Sequence, residues 1–131
     1  AALKTLEIMK REKSWEVITK TGSKIKKNLD LLSKKYELPL QQFGLEALSG
    51  FNFDSPNNLA YKTFISQEML KKGFLAGNLI YVCTHHTKDI IEEYFSSLDP
   101  VFKLIKDCEE GKDINKLLDG PICSSGFQRL N

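Results

Sequence analysis

Six apolar positions, Ile91, Tyr94, Leu98, Val101, Ile105 and Cys108, follow one another at steps of three or four residues. That spacing lays them along a single stripe of an α-helix. A helix with one apolar stripe must cover something, so this segment alone demands a layered fold with a core beneath it. Thr87 offers an N-cap and Gly111 a stop. Pro100 lies inside the pattern, and Asp99-Pro100 reads as an N-cap followed by Pro at the first helical position. The stripe keeps its phase across the proline. The expectation is a kink or tight break, with both halves covering the same sheet.

A second stripe lies upstream. Ile18, Ile25, Leu29, Leu32 and Tyr36 step by seven, four, three and four. They predict a long helix opened by Ser14 as N-cap and closed ahead of Pro39. Gly22 interrupts it at a cost of roughly 1 kcal/mol relative to Ala, which makes sense where another backbone approaches closely. Before it, Leu3, Leu6 and Ile8 or Met9 predict a helix over residues 1–12.

Between the two stripes the period changes. Phe51 and Phe53 alternate with Gly50, Asn52 and Asp54, the pattern of a half-buried strand, with Gly44 read as the turn from a short first strand. Ser55-Pro56-Asn57-Asn58 reads as a turn and helix start. The helix that follows, about 59–72, has Tyr61, Phe64, Ile65 and Met69 as its buried face and Gly73 as its terminator. Leu79 to Cys83 is a short apolar run bounded by Gly and His, and reads as a strand buried on both faces. A short helix near 114–118 and a loop-like tail complete the order. The implied fold class is α+β: a small, mostly antiparallel sheet of about three or four strands covered by helices. One domain is expected over 1–131, with N-terminal helices at 1–38, an α+β core at 39–119 and a tail at 120–131.

A chain of 131 residues with 41% apolar and 27% charged residues suits one globular domain. The net charge of +2 hides an asymmetry. Residues 1–36 hold ten Lys or Arg against four Asp or Glu, and the remainder nine against thirteen. A basic block of this kind suits an acidic partner or nucleic acid, but a solvated helix face explains it with fewer assumptions. Cys83, Cys108 and Cys123 form no C-x-x-C pair, so neither a zinc site nor a redox pair is signalled, and free thiols of a cytoplasmic protein are expected. No stretch approaches the roughly 20 apolar residues of a membrane span, and no membrane partner is expected. The opening Ala1-Ala2-Leu3-Lys4 reads as the inside of a helix, which raises the expectation of a longer natural protein.

Catalytic constellations are scarce. His85 and His86 are the only histidines, and as neighbours on a strand they would point to opposite faces. His86 fits a helix start better than catalysis. Glu92-Glu93 and Glu109-Glu110 read as surface charge. Cys83, placed in a buried strand, reads as inert. Gly50 and Gly77 are isolated and form no phosphate loop. Arg129 could reach a carboxylate, but nothing in the sequence puts it in a pocket. Phe51 and Phe53 would stack bases in an RNA-binding sheet, yet Asn52 and Asp54 are their neighbours where that role needs basic residues, so core packing or a domain interface is expected. No catalytic, cofactor-binding or metal-binding residue is assigned.

Several segments, in order, resemble a known family. Gly22-Ser23-Lys24-Ile25-Lys26 is similar to a G-x-x-hydrophobic-basic helix. Gly44-Leu45-Glu46-Ala47-Leu48 through Phe53 resembles a G-x-x-A-L-x-x-x-x-F strand entry. Gln67-Glu68-Met69-Leu70-Lys71-Lys72-Gly73, followed by Leu75-Ala76, resembles a Q-E-M-L-K-x-G-x-L-A segment. His86-Thr87 with Leu98-Asp99 resembles the start and middle of a last long helix, and Gly120-Pro121 with Ser125-Gly126-Phe127-Gln128-Arg129-Leu130 a tail. Together they resemble the C-terminal small domain of class III aminotransferases dependent on pyridoxal 5'-phosphate (PLP), of the glutamate-1-semialdehyde aminomutase type. Ala1 to Glu7 then looks like the helix leaving the large domain.

The resemblance implies a fold-type-I enzyme, a homodimer when full-length, acting on a small amino, keto or aldehyde substrate. Its Schiff-base lysine and PLP site would lie in a large domain outside this chain, so this piece alone would bind no cofactor and be inactive. The small domain would cover the active-site cleft and help substrate binding. Between Leu75-Ala76 and His86-Thr87 the aminomutases carry a longer segment, whereas here Gly77-Asn78-Leu79-Ile80 passes straight into a strand. That departure favours an aminotransferase over a true aminomutase. A free-standing α+β module with a basic helical face is the alternative of another kind. If the chain is one domain of a larger enzyme, an exposed apolar patch is expected where the remainder docks.

Overall fold

A computed structural model describes residues 1–126. The motif segment and Arg129 beyond Gly126 lie outside the described residues. Helix α1 (Ala2–Glu12) and helix α2 (Ser14–Lys35) meet at Lys13, whose backbone is left-handed at φ 47° and ψ 46°. The Lys13 carbonyl accepts from the N–H groups of Glu16 and Val17. Ser14 therefore is not the N-cap that the sequence suggests; it is the first helical residue and its side chain makes no capping bond. The apolar stripe of α2 behaves as its spacing requires: Ile25, Leu29 and Leu32 are buried, and Ile18 and Tyr36 pack at the edge of the core.

Three strands follow, β1 (Leu40–Leu45), β2 (Leu48–Phe53) and β3 (Leu79–Tyr81), in the order β1-β2-β3 and antiparallel throughout. The β1–β2 turn is Glu46-Ala47, because Leu45 pairs with Leu48. Gly44 is not the turn. It sits inside β1 at φ 80°, where a Cβ would fall 2.4 Å from the Leu48 carbonyl oxygen. Gly22 fulfils the expected close approach: a Cβ there would lie 1.8 Å from the carbonyl oxygen of Glu46. Helix α2 thus rests its backbone on the tip of the hairpin, and Lys26 Nζ donates to the Gly44 carbonyl at 3.0 Å beside it.

Helix α3 (Asn58–Lys71) ends in a Schellman arrangement. Gly73 takes φ 85°, its N–H bonds the Leu70 carbonyl, and Phe74 N–H reaches the Met69 carbonyl at 2.9 Å. Helix α4 (Lys88–Glu109) is capped by Thr87, whose hydroxyl accepts from Ile90 N–H, and a 3₁₀ turn (Ile114–Lys116) follows. Helix α4 passes through Pro100 without the expected break. Asp99 is no cap; its carboxylate accepts from Lys35 and Tyr36 of the α2 terminus. The ring of Pro100 removes one backbone bond, but Leu98, Val101, Phe102 and Ile105 on either side are buried, and packing of the apolar face outweighs that loss.

Helices α2 and α3 pack on β2, and α4 packs on both. Ser49, Phe51 and Phe53 form the inner row of β2, all buried. The rings of Phe51, Phe53, Tyr61 and Phe102 meet at centroid distances of 5.5–6.3 Å, mostly edge to face. Both phenylalanines belong to the core and are out of reach of any base.

Candidate functional site

The sheet is the part of the fold that departs from what a free domain needs. Antiparallel sheets with one face in water normally alternate apolar-in and polar-out. Here the outward positions are Gln41, Phe43 and Leu45 on β1, Leu48, Gly50 and Asn52 on β2, and Leu79 and Tyr81 on β3, as the register shows. Leu45 pairs with Leu48, which pairs with Tyr81; Phe43 pairs with Gly50, which pairs with Leu79. Two cross-strand rows are therefore apolar from edge to edge. Leu45 is 74% exposed and Tyr81 68%. Gly50 is what lets the second row close: a Cβ on it would lie 2.5 Å from the Phe43 ring and 2.8 Å from a Leu79 methyl. Phe43 and Leu79 thus fold inward over the glycine from both sides.

This arrangement corrects the reading of 79–83 as a strand buried on both faces. Strand β3 is three residues long and forms the sheet edge, with Leu79 and Tyr81 turned outward. Cys83, read as buried, is exposed. An apolar pentapeptide does not distinguish a central strand from an edge strand whose outer face is also apolar. His85 and His86 follow in a turn, not on a strand. His86 Nδ1 accepts from Cys83 N–H at 3.4 Å, which shapes the turn into α4.

Along the edge of β3 lies a half-open cavity of about 260 Å³, bounded by Phe74, Ile80, His86, Ile91 and Tyr94 among others. No Lys, Arg, Asp or Glu lines it. The Tyr94 hydroxyl is buried with no hydrogen-bond partner among the described residues, and burial pushes its pKa up to about 12. Its ring packs edge to face on Phe74 and Phe95.

Polar clusters elsewhere serve the fold. Tyr61 is fully buried, yet its hydroxyl donates to Glu109 Oε1, which also accepts from Ser55. Burial and that bond push the Tyr61 pKa up to about 12. Glu109, read as plain surface charge, so ties the α3 start to the α4 end. Burial works against ionised Asp99, but the bonds from Lys35 and Tyr36 outweigh it and hold its carboxyl below the usual range. Lys71 is raised by its bonds to Asp119 and Glu68. Glu92 and Glu93 are exposed on α4, and Gly77 is half-buried beside the cavity. Among the described residues, no three His, Cys, Asp or Glu converge as metal ligands, and no helix is long and apolar enough to cross a membrane.

No family model matches the sequence. No curated protein sequence matches it either. Solved structures do. The chain is similar to the FumI protein of Sphingopyxis sp. MTA144 in its PLP internal aldimine form, at a TM-score of 0.71 and 19% identity, over 89% of this chain and 29% of that one. It is also similar to an S-selective transaminase from Arthrobacter sp. with alanine bound, at a TM-score of 0.65 and 20% identity, over 79% of this chain and 28% of that one.

The chain shares the fold of a segment of each of these two proteins. It spans less than a third of the length of either neighbour. Within this fold the residues that line the cavity do not fit PLP itself. The cavity offers no lysine for a Schiff base, no acid for a ring nitrogen and no cation for a phosphate. The two lysines whose pKa values depart from the ordinary, Lys35 and Lys71, are raised by carboxylate partners, opposite to what an amine nucleophile needs. The feature most at odds with a self-sufficient unit is the apolar outer sheet face. Sequence reasoning looked for a patch without locating it. The signal was present: Leu45 and Leu48 flank a two-residue turn, and each is apolar on the parity that faces away from Phe51 and Phe53.

Proposed function

We propose that this chain is the C-terminal small domain of a PLP-dependent aminotransferase of the glutamate-1-semialdehyde type. The reactive lysine and cofactor site lie in a large domain outside these residues, and this domain covers the active-site cleft and helps hold a small amino, keto or aldehyde substrate. The observation that carries the reading is the likeness in fold, over 89% of the chain, to a segment of a protein solved with PLP bound as an internal aldimine. The order of the Q-E-M-L-K-x-G-x-L-A and H-T segments along the sequence supports it further. The direct passage from Gly77 into β3 at Leu79 favours transfer to a second carbonyl compound over an internal mutase reaction.

Reading the natural frame upstream of Ala1 and expressing the whole product tests this. The full-length protein is expected to hold PLP and to show half-transamination spectra with an amino donor, while residues 1–131 alone take up no cofactor. Covalent uptake by this piece alone, or a whole product without PLP, overturns the reading.

A further inference from the structure

We infer that the outer face of the β1-β2-β3 sheet is an intramolecular docking surface, covered in the whole protein by polypeptide from the same chain outside residues 1–131. This rests on the proposed function and adds the face, the occupant and the residues. Helices α2, α3 and α4 already cover the inner face and α1 packs on α2, so no described helix lies over the outer one. Five of its eight outward side-chain positions are Phe43, Leu45, Leu48, Leu79 and Tyr81. Exposed apolar surfaces of that kind mark contacts with other macromolecules.

The occupant is settled by length and chemistry. In both neighbours the same fold accounts for under 30% of the chain, so each carries more than twice as much polypeptide beside it. None of the eight strand positions of the face is charged: Gln41, Asn52 and the hydroxyl of Tyr81 are its only polar side-chain groups. It therefore suits the apolar flank of a covalently linked domain, and neither a nucleic acid nor an anionic lipid surface, which need cations. Gly50 makes the middle of the face low and flat, since Phe43 and Leu79 lie over it. A partner element would then seat on those two side chains.

The experiment uses the full-length protein and two readouts. In hydroxyl-radical footprinting, Tyr81 and Leu45 are expected to be protected relative to Leu75, which is 96% exposed. The Leu45→Lys, Tyr81→Lys double variant is expected to lower the melting temperature by about 5 °C or more, because two ammonium groups lose water in the interface. Labelling of Tyr81 and Leu45 as fast as Leu75 at every protein concentration overturns the inference, whether or not the variant folds. Protection that disappears on dilution points to a second copy and also overturns it. Absence of PLP from the full-length protein sinks the functional reading; PLP present with the sheet face open sinks only the docking inference.

Discussion

Tyr61 shows how one residue can hold two elements without belonging to a site. Its ring is fully buried beside Phe53, and its hydroxyl finds Glu109 at the α4 end. Tyr61→Phe keeps the ring and loses the bond. The expected cost is about 1–2 kcal/mol, read as a lower urea midpoint with unchanged slope. The same buried phenol sets an alkaline limit. Tyr61 and Tyr94 both have pKa values raised to about 12 from an ordinary value near 10. A raised phenol stabilises the fold fully below the unfolded pKa and loses that contribution as pH climbs through the folded one. Stability is therefore expected to fall between about pH 10 and 12. Tyrosinate absorbance from these two side chains should rise together with loss of far-UV dichroism; ionisation of both ahead of unfolding would contradict the burial argument.

At the scale of elements, two contacts decide how the helices lie. Helix α2 touches the hairpin through Gly22, where a Cβ would strike the Glu46 carbonyl. Ala is the better helix former by roughly 1 kcal/mol, but backbone cannot yield as a side chain does. Gly22→Ala is expected to destabilise by at least about 2 kcal/mol, measured by chemical denaturation. Pro100 argues the other way. It lies exposed in an unbroken helix and leaves one carbonyl of α4 without its bond. Pro100→Ala is expected to stabilise by about 1–2 kcal/mol, the helical gain less the extra entropy of the unfolded chain; an unchanged or lower melting temperature would mean that the proline fits this helix for a reason beyond its backbone. The two stripes, the Gly22 contact, the Thr87 cap and both glycine-terminated helices were legible in the sequence, because each is fixed by neighbours within four residues or by a missing Cβ. Ser14, Gly44 and Asp99 were misread for the converse reason. Each has a local signature, and a non-local partner or a main-chain bond overrode it: Lys13 turned left-handed and capped α2, Leu45 paired with Leu48, and Lys35 with Tyr36 claimed the Asp99 carboxylate.

For the molecule as a whole, sidedness is the property the sequence expressed only in part, in the parity of Leu45 and Leu48. A run such as Leu79-Ile80-Tyr81 is apolar at both parities, and only the sheet order reveals that one of those faces has nothing over it. A chain of this size has enough inner surface for one core, which α2, α3 and α4 complete on their own; the outer rows are additional apolar surface. If so, residues 1–126 fold without their outer face being covered, and that face governs how the piece behaves in water. The isolated chain is expected to bind a hydrophobic dye and to self-associate as its concentration rises. Leu45→Lys with Tyr81→Lys, both in the row through Leu48, should abolish both behaviours while shifting the unfolding free energy by no more than about 0.5 kcal/mol, since neither side chain packs in the core. Sedimentation and dye titration check this directly. Dye binding that survives the double change would move the sticky surface to α1, where Leu3 and Leu6 are also exposed and no residue is buried; the two surfaces differ in kind, because an apolar stripe on a terminal helix can be shed by fraying, whereas the sheet face cannot be hidden without unfolding the core it is built on.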